Sequence, residues 1–301
     1  MDRLHLIEVF VAVADAGGLA AAARKLGLSA PAVTRAVNEL ESRLGVRLLT
    51  RTTRVVRVTE AGARYAEDGR RILGALAEAD ASATGIHGAP RGRLTVTAPV
   101  MFGTRYVTPI VTDYLQRHPL TSAACWFVDR VVNLIEEGVD VAVRIGALPD
   151  SSLQAVRVGQ VRLVVCASPA YLKVHGTPQQ PGELVGHTIV SASGVTPTSE
   201  WRLQVGGARQ AGRLQPRLTV TSNAAARAAA LAGFGLTQLL SYQVADPLRE
   251  GTLIAVLQEH QPPPLPLHVV HREGRHASRK VRAFLDLAIE SMRAQSALQG
   301  F

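Results

Sequence analysis

Thr34, Arg35 and Asn38 place a hydroxyl, a guanidinium and a carboxamide within one and a half helical turns. No acid or thiol joins them into a catalytic set, but the mixture suits another chemistry. An amide or a guanidinium can address two acceptors on one base edge, and all three side chains can reach phosphate. Farther along, Arg43, Arg47, Arg51, Arg54 and Arg57 follow one another with no acid between them. Such a run fits the backbone of a polyanion, and an ordinary solvated basic face reads the same way.

These residues need an element that shows them together. In LAAAARKLGLSAPAVTRAVNELESRLG (19–45), Leu19, Ala22, Ala23 and Leu26 recur at helical spacing up to Gly27, where a helix end favours positive φ. Ser29 is a natural N-cap and Pro31 falls in the first turn of a second helix. That helix buries Val33, Val37, Leu40 and Leu44, which leaves Pro31, Thr34, Arg35, Asn38 and Ser42 on the opposite face. An earlier stripe, Leu4, Ile7, Phe10, Val11 and Ala14, predicts a first helix, so three helices fill about 45 residues. The second pair is built like a helix–turn–helix that offers short polar side chains to a major groove; an αα-hairpin in a bundle shares the pattern. VRLLTRTTRVVRVT (46–59) then alternates β-branched residues with Arg and Thr, which predicts a short hairpin, a wing, with its arginines outward. Arg51 or Arg54 of such a wing can enter the minor groove.

A long helix begins at Thr59. Tyr65, Gly69, Ile72, Leu76, Ala79 and Ala83 step by 4, 3, 4, 3, 4, the seam of a coiled coil or the inner stripe of a helix packed on its own domain. It ends in TGIHGAPRG, a hinge that puts a domain boundary at about residue 90. Beyond it, near-continuous apolar runs predict strands: RLTVTAP, AACWFV, VDVAVRIG, RLVVCAS, RLTVTS, GLTQLL and PLHVVHRE. Helical patterns separate them, in TRYVTPIVTDYLQRH, VNLIEEG, SNAAARAAALAGF and SRKVRAFLDLAIESM. The organisation expected is 1–58 for a winged helix–turn–helix domain, 59–90 for a linker helix and hinge, and 91–301 for an α/β domain of two lobes. Lobe I takes about 91–162 and 268–301, lobe II about 163–267.

Composition narrows the classes. Lys and Arg exceed Asp and Glu by 33 to 24, a net charge of +9 that favours a polyanionic partner. The start, MDRLHLIEVF, has no secretory signature and no run of about 18 apolar residues occurs, so a cytoplasmic protein without a membrane span is expected. The two cysteines, Cys125 and Cys166, sit in apolar runs and read as buried structural thiols. There is no G-x-S-x-G elbow and no H-E-x-x-H pair, and Gly233-Phe234-Gly235 lacks the third glycine and the strand of a dinucleotide loop. His268, His271 and His276 lie close in sequence with only Glu273 nearby, too few ligands for a metal. No enzyme, cofactor or metal is expected.

Taken together, LGLSAPAVTRAVNELESRLGVRLLTRTTRVVRVTEAG (26–62) resembles the DNA-binding signature of LysR-type transcriptional regulators, and the resemblance extends over essentially the whole chain. DVAVRIGALPDSSLQAVRVG and CASPAYLKVHGTP are similar to its CrgA-like branch. Two departures stand out: Ala30 where the family usually has Gln, and Gly17-Gly18-Leu19 where it usually has Gly-Ser-Phe. Ala30 removes a contact at the start of the reading helix. The resemblance implies an N-terminal all-α winged helix–turn–helix and a two-lobed type-2 periplasmic-binding-protein-like α/β effector domain. It implies Ser29, Pro31, Ala32, Thr34 and Arg35 as the groove-facing start of the reading helix, with Asn38 on the same face, and Arg51 and Arg54 as wing contacts. It implies a small organic effector between the lobes, near Val100, Met101, Phe102, Arg144, Thr196 and Asn223. Arg144 would clamp a carboxylate or pair with a nearby acid, and Asn223 would meet the ligand or cap the following helix. The partners implied are double-stranded DNA at an imperfect palindrome and further copies of the chain, as a dimer or tetramer in a bacterial cell.

Overall fold

The structure, a computed structural model, describes residues 2–51, 56–83, 89–148, 153–192, 200–205, 208–272 and 277–299. The chain divides into two compact units, Met1–Gly88 and Ala89–Phe301. In the first, α1 (Arg3–Ala16), α2 (Leu19–Leu26) and α3 (Ala30–Leu44) follow in quick succession. Their apolar stripes meet in one core of Leu6, Phe10, Val13, Ala22, Val33, Val37 and Leu40, which Leu48 and Leu49 complete from the wing. The wing is an antiparallel pair, β1 (Leu49–Arg51) and β2 (Val56–Val58), with Leu49 opposite Val58.

α4 (Glu60–Ala83) leaves the wing through two close approaches that only glycine permits. A Cβ on Gly62 would stand 2.1 Å from the Leu48 carbonyl oxygen, and one on Gly69 would stand 2.9 Å from methyls of Ile7 and Val11. The first half of α4 therefore packs on α1, helped by Arg70, whose Nη2 lies 2.6 Å from Asp15. The expected seam divides accordingly. Tyr65 packs against the domain core and Gly69 is buried on α1, whereas Ile72 and Leu76 stay 47% and 41% exposed. The surroundings of Ala79 and Ala83 lie outside the described residues.

The second unit holds two five-stranded sheets. After β3 (Gly92–Ala98) the chain turns into a continuous helical stretch: α5 (Val100–Phe102), a π-helical turn at Gly103–Val107 and α6 (Thr108–Arg117). β4 (Thr121–Phe127), β5 (Val141–Ile145) and β6 (Gln154–Val161) follow. The chain then crosses to the second sheet and lays down β7 (Leu163–Ala167), α7 (Pro169–His175), β8 (Ile189–Ala192), and the hairpin β9 (Glu200–Val205) with β10 (Ala208–Arg213). Next come β11 (Leu218–Val220), α8 (Asn223–Leu231), β12 (Leu236–Leu240), α9 (Ser241–Arg249) and β13 (Ile254–Val256). β14 (Leu265–His271) returns to the first sheet and α10 (Arg279–Arg293) packs on it. The sheet orders are β4-β3-β5-β14-β6 and β11-β8-β12-β7-β13, each mixing parallel and antiparallel pairs.

The mixed α/β class agrees with the sequence reading, and one helix it predicts does not form. VNLIEEG (132–138) forms turns, not a helix. The Asn133 side chain accepts from the amides of Ile135 at 3.1 Å and Glu136 at 3.4 Å, while Glu137 reaches back to the Asn133 amide at 3.2 Å. With one isolated i→i−4 backbone bond, from the Glu137 amide to the Asn133 carbonyl at 3.0 Å, these local bonds hold the segment as turns. They leave Val132, Leu134 and Val139 buried against Ala142 and Val270.

Candidate nucleic-acid interface and effector site

α3 presents the predicted reading face. Ser29 caps it, accepting from the Ala32 amide at 3.3 Å, with Pro31 in the first turn. Ser29, Pro31, Arg35 and Asn38 are exposed, and Ala32 and Thr34 are half-buried beside them. The Thr34 hydroxyl donates to the Ala30 carbonyl at 2.9 Å, a local bond that occupies it within the helix. Arg35 has no ion-pair partner among the described residues, whereas Arg43 meets Glu39 at 2.6 Å. Arg47 and Arg57 are exposed. The Arg51 backbone lies in β1 opposite Val56, its side chain is beyond the described atoms, and Arg54 lies outside the described residues. Arg24 and Lys25, exposed in the last turn of α2, add cations that the motif reading did not single out.

Sequence reasoning also missed Glu41. It faces the inner side of α3, only 6% exposed, and its carboxylate accepts from the amides of Leu48 at 2.7 Å and Leu49 at 2.9 Å. An acid four residues after Val37, on the apolar stripe, was the available signal.

In the second unit the predicted effector residues separate. Val100 is 41% exposed and opens α5, where its amide donates to Asp129 at 3.0 Å. Met101 is partly buried against the core, and Phe102 lies wholly inside it, between Tyr106 at 4.9 Å and Tyr242 at 5.3 Å between ring centres. Phe102 thus offers no ligand surface here; a run of apolar residues after a strand does not by itself tell lining from core. Burial pushes the Tyr242 phenol far above its usual pKa. Arg144 donates to the Val132 carbonyl and stands opposite His268 on β14. Burial lowers its pKa and Glu137 opposes that shift, yet Glu137 itself is held by Arg130 at 2.6 Å. Arg144 thus forms no ion pair with an acid among the described residues. α8 is capped by Ser222, which accepts from the Ala225 amide at 3.4 Å, and Asn223 is the first helical residue. Thr196 lies outside the described residues.

The lobes are tied together beside Phe102. Tyr242, from α9, inserts into the core of the first sheet, and Arg105 of the π-helical turn pairs with Asp246 of α9 through its two terminal guanidinium nitrogens. Among the described residues no group of His, Cys, Asp or Glu could hold a metal ion, and His276 falls outside them. No described helix is long and apolar enough to cross a membrane.

Two family models match the chain: "Bacterial regulatory helix-turn-helix protein, lysR family" over residues 4–63, and "LysR substrate binding domain" over residues 87–293. The HTH-type transcriptional regulator CrgA of Neisseria meningitidis serogroup C (strain 8013) is 33% identical over 287 residues, covering 95% of this chain and 96% of that protein. Among solved structures, CrgA from Neisseria meningitidis aligns with a TM-score of 0.62 at 32% identity, over 97% of this chain and 99% of that one. The full-length Vibrio cholerae virulence activator AphB aligns with a TM-score of 0.62 at 26% identity, over 96% and 99%.

Proposed function

The chain belongs to the LysR family of bacterial transcriptional regulators, and from that premise we propose how its residues divide the work of a DNA-binding regulator that responds to a small molecule. It is a regulator and not an enzyme. Residues 1–58 read DNA, 59–90 link and dimerise, and 91–301 bind the effector in the cytoplasm. The observation that carries the reading is the outer face of α3. Ser29, Pro31, Arg35 and Asn38 are exposed there together with half-buried Thr34, and the apolar side of the same helix is fixed in the core.

Ser29, Pro31, Ala32, Thr34, Arg35 and Asn38 enter the major groove, while Arg51 and Arg54 of the wing contact phosphate or the minor groove. Two copies joined along the exposed part of α4 bring two such helices to the half-sites of an imperfect palindrome, and a tetramer doubles the arrangement. Val100, Met101, Arg144, Thr196 and Asn223 remain the candidates around the effector, with Phe102 acting behind them as core. A ligand that prefers one lobe arrangement shifts an existing equilibrium and with it the placement of the reading helices.

Footprinting on the intergenic DNA beside the protein's own gene tests this, with wild type and Arg51→Ala side by side. A protected palindrome that weakens in the variant is expected. Absence of any protected site, there and in a genome-wide search, sinks the assignment. A thermal-shift screen of small organic acids and aromatics then identifies the effector, because a ligand of the native state raises the melting temperature.

A further inference from the structure

Glu41 is the one charged residue buried in the first unit among the described residues. A carboxylate withdrawn from water is costly unless every strong acceptor site is answered. Here Oε1 accepts from two consecutive amides, Leu48 at 2.7 Å and Leu49 at 2.9 Å, and Oε2 lies 3.3 Å from Arg47 Nη1. The acceptor belongs to the reading helix and all three donors belong to the entry of the wing. The same stretch is gripped from its other side. The Leu48 carbonyl accepts from the Thr59 amide at 2.9 Å, the Thr59 hydroxyl lies 2.9 Å from the Arg47 carbonyl, and that hydroxyl accepts from the Gly62 amide at 3.0 Å. One short segment, Arg47–Leu49, is therefore held by α3 through its N–H groups and by the start of α4 through its carbonyls.

We propose that Glu41 is a positioning residue for DNA reading, one that fixes the wing against α3 and so sets the spacing between base-facing and backbone-facing contacts. The inference rests on the DNA-reading assignment above. Leu48 and Leu49 bury their own side chains in the domain core, so apolar burial holds this stretch alongside Glu41. What apolar burial does not supply is a fixed direction, because it is non-directional, whereas two charge-assisted bonds to adjacent amides are directional and short. A wing free to shift keeps its arginines but loses their register with the groove.

The test uses the full chain and a duplex selected on the wild-type protein from a random-sequence pool. Affinity is measured against salt, and the footprint is read, for wild type, Glu41→Ala and Glu41→Gln. Glu41→Ala is expected to bind at least tenfold more weakly, with a salt slope lower by about 1–2 as wing phosphate contacts are lost. Its flanking protection disappears while the groove centre stays protected. Glu41→Gln, whose amide oxygen can still accept from both backbone amides, is expected to restore the flanks. A purely structural role would lower the folded fraction and leave slope and footprint as in wild type, and that result overturns the proposal. So does Glu41→Gln that fails as completely as Glu41→Ala. Should Glu41→Ala not fold, Glu41→Asp decides: it keeps the charge and shortens the reach, so a lowered slope supports the proposal and a wild-type slope ends it. A wild-type protein that selects no duplex would remove the DNA-reading assignment itself, and the proposal with it.

Discussion

Arg105 and Asp246 form a two-pronged ion pair between the π-helical turn after β3 and α9 of the other lobe, with Nη2 3.0 Å from Oδ1. Arg105, and after it Arg249, hold the Asp246 carboxyl below its ordinary pKa. A carboxyl lowered in the folded state contributes stability that is complete above its unfolded value, about 3.9, and is lost as pH falls through the folded one. Asp246→Asn should therefore melt below wild type at pH 7, and the gap should close progressively under acid, below about pH 4. Thermal melts at pH 7, 5, 4 and 3 check this; a gap that does not change with pH would remove the ion pair as its cause.

Gly62 and Gly74 lie in the same helix and should respond oppositely to alanine. A Cβ at Gly62 collides with the Leu48 carbonyl, whereas one at Gly74 meets nothing within 4 Å. Gly62→Ala is expected to destabilise by about 1–3 kcal/mol through overpacking and to weaken DNA binding. Gly74→Ala is expected to stabilise by about 0.5–1 kcal/mol, since glycine in an exposed helix interior is unfavourable. Denaturant titrations of both variants decide it, and the same sign for both would show that backbone contact does not control this helix.

The two thiols should differ sharply in reactivity. Cys166 is buried, and burial pushes its thiol up to about 12; Cys125 is exposed on β4, although burial raises its pKa too. At pH 8 a thiol of pKa 12 is ionised in roughly one molecule in ten thousand, and the thiolate is the reactive form. Ellman's reagent should titrate one cysteine in the native protein and the second only on unfolding. Two native equivalents would contradict the placement of Cys166.

Much of this was legible because burial imposes a period. Val33, Val37 and Leu40 mark the inner side of α3 as plainly in the sequence as in the core, and Gly27 stands at a helix end with the positive φ its place requires. Strands with continuous apolar runs, such as Val141–Ile145 and Leu163–Ala167, announced themselves. Gln154–Val161 did not, because Arg157, Gly159 and Gln160 interrupt its run, and Ile254–Val256 is too short to show a period. Cys125 sits in an apolar run and is nevertheless exposed, since its strand borders the sheet. The site was legible where it lies on one helix. Where contacts join distant segments, as Tyr242 meets Phe102 and Glu41 meets Leu48, only the folded chain brings the residues together.

Among the described residues, Ile72 and Leu76 are the large apolar residues that α4 leaves uncovered after Gly69 has packed on α1. A double change, Ile72→Asp with Leu76→Asp, should turn the oligomer into monomer at micromolar concentration without loss of helix content. Each would bury a charge at a seam position with no partner to answer it. Sedimentation velocity with circular dichroism reads both quantities. An intact oligomer would place the interface elsewhere than on this part of α4.

Arg35 separates two kinds of contact. It is exposed between Thr34 and Asn38 on the outer face of α3, and no carboxylate among the described residues draws it away. A planar fork in that position suits the two acceptors of a guanine edge, which lysine's point charge matches poorly. Arg35→Ala and Arg35→Lys should both lose about 1–3 kcal/mol on the selected duplex and relax one base position, with the salt slope changed little. Selection from a random pool on each variant reads the relaxed position directly. If Arg35→Lys instead binds like wild type, and Arg35→Ala lowers the slope by about 1 with every base preference kept, Arg35 holds phosphate. Specificity at the helix start would then fall to Thr34 and Asn38.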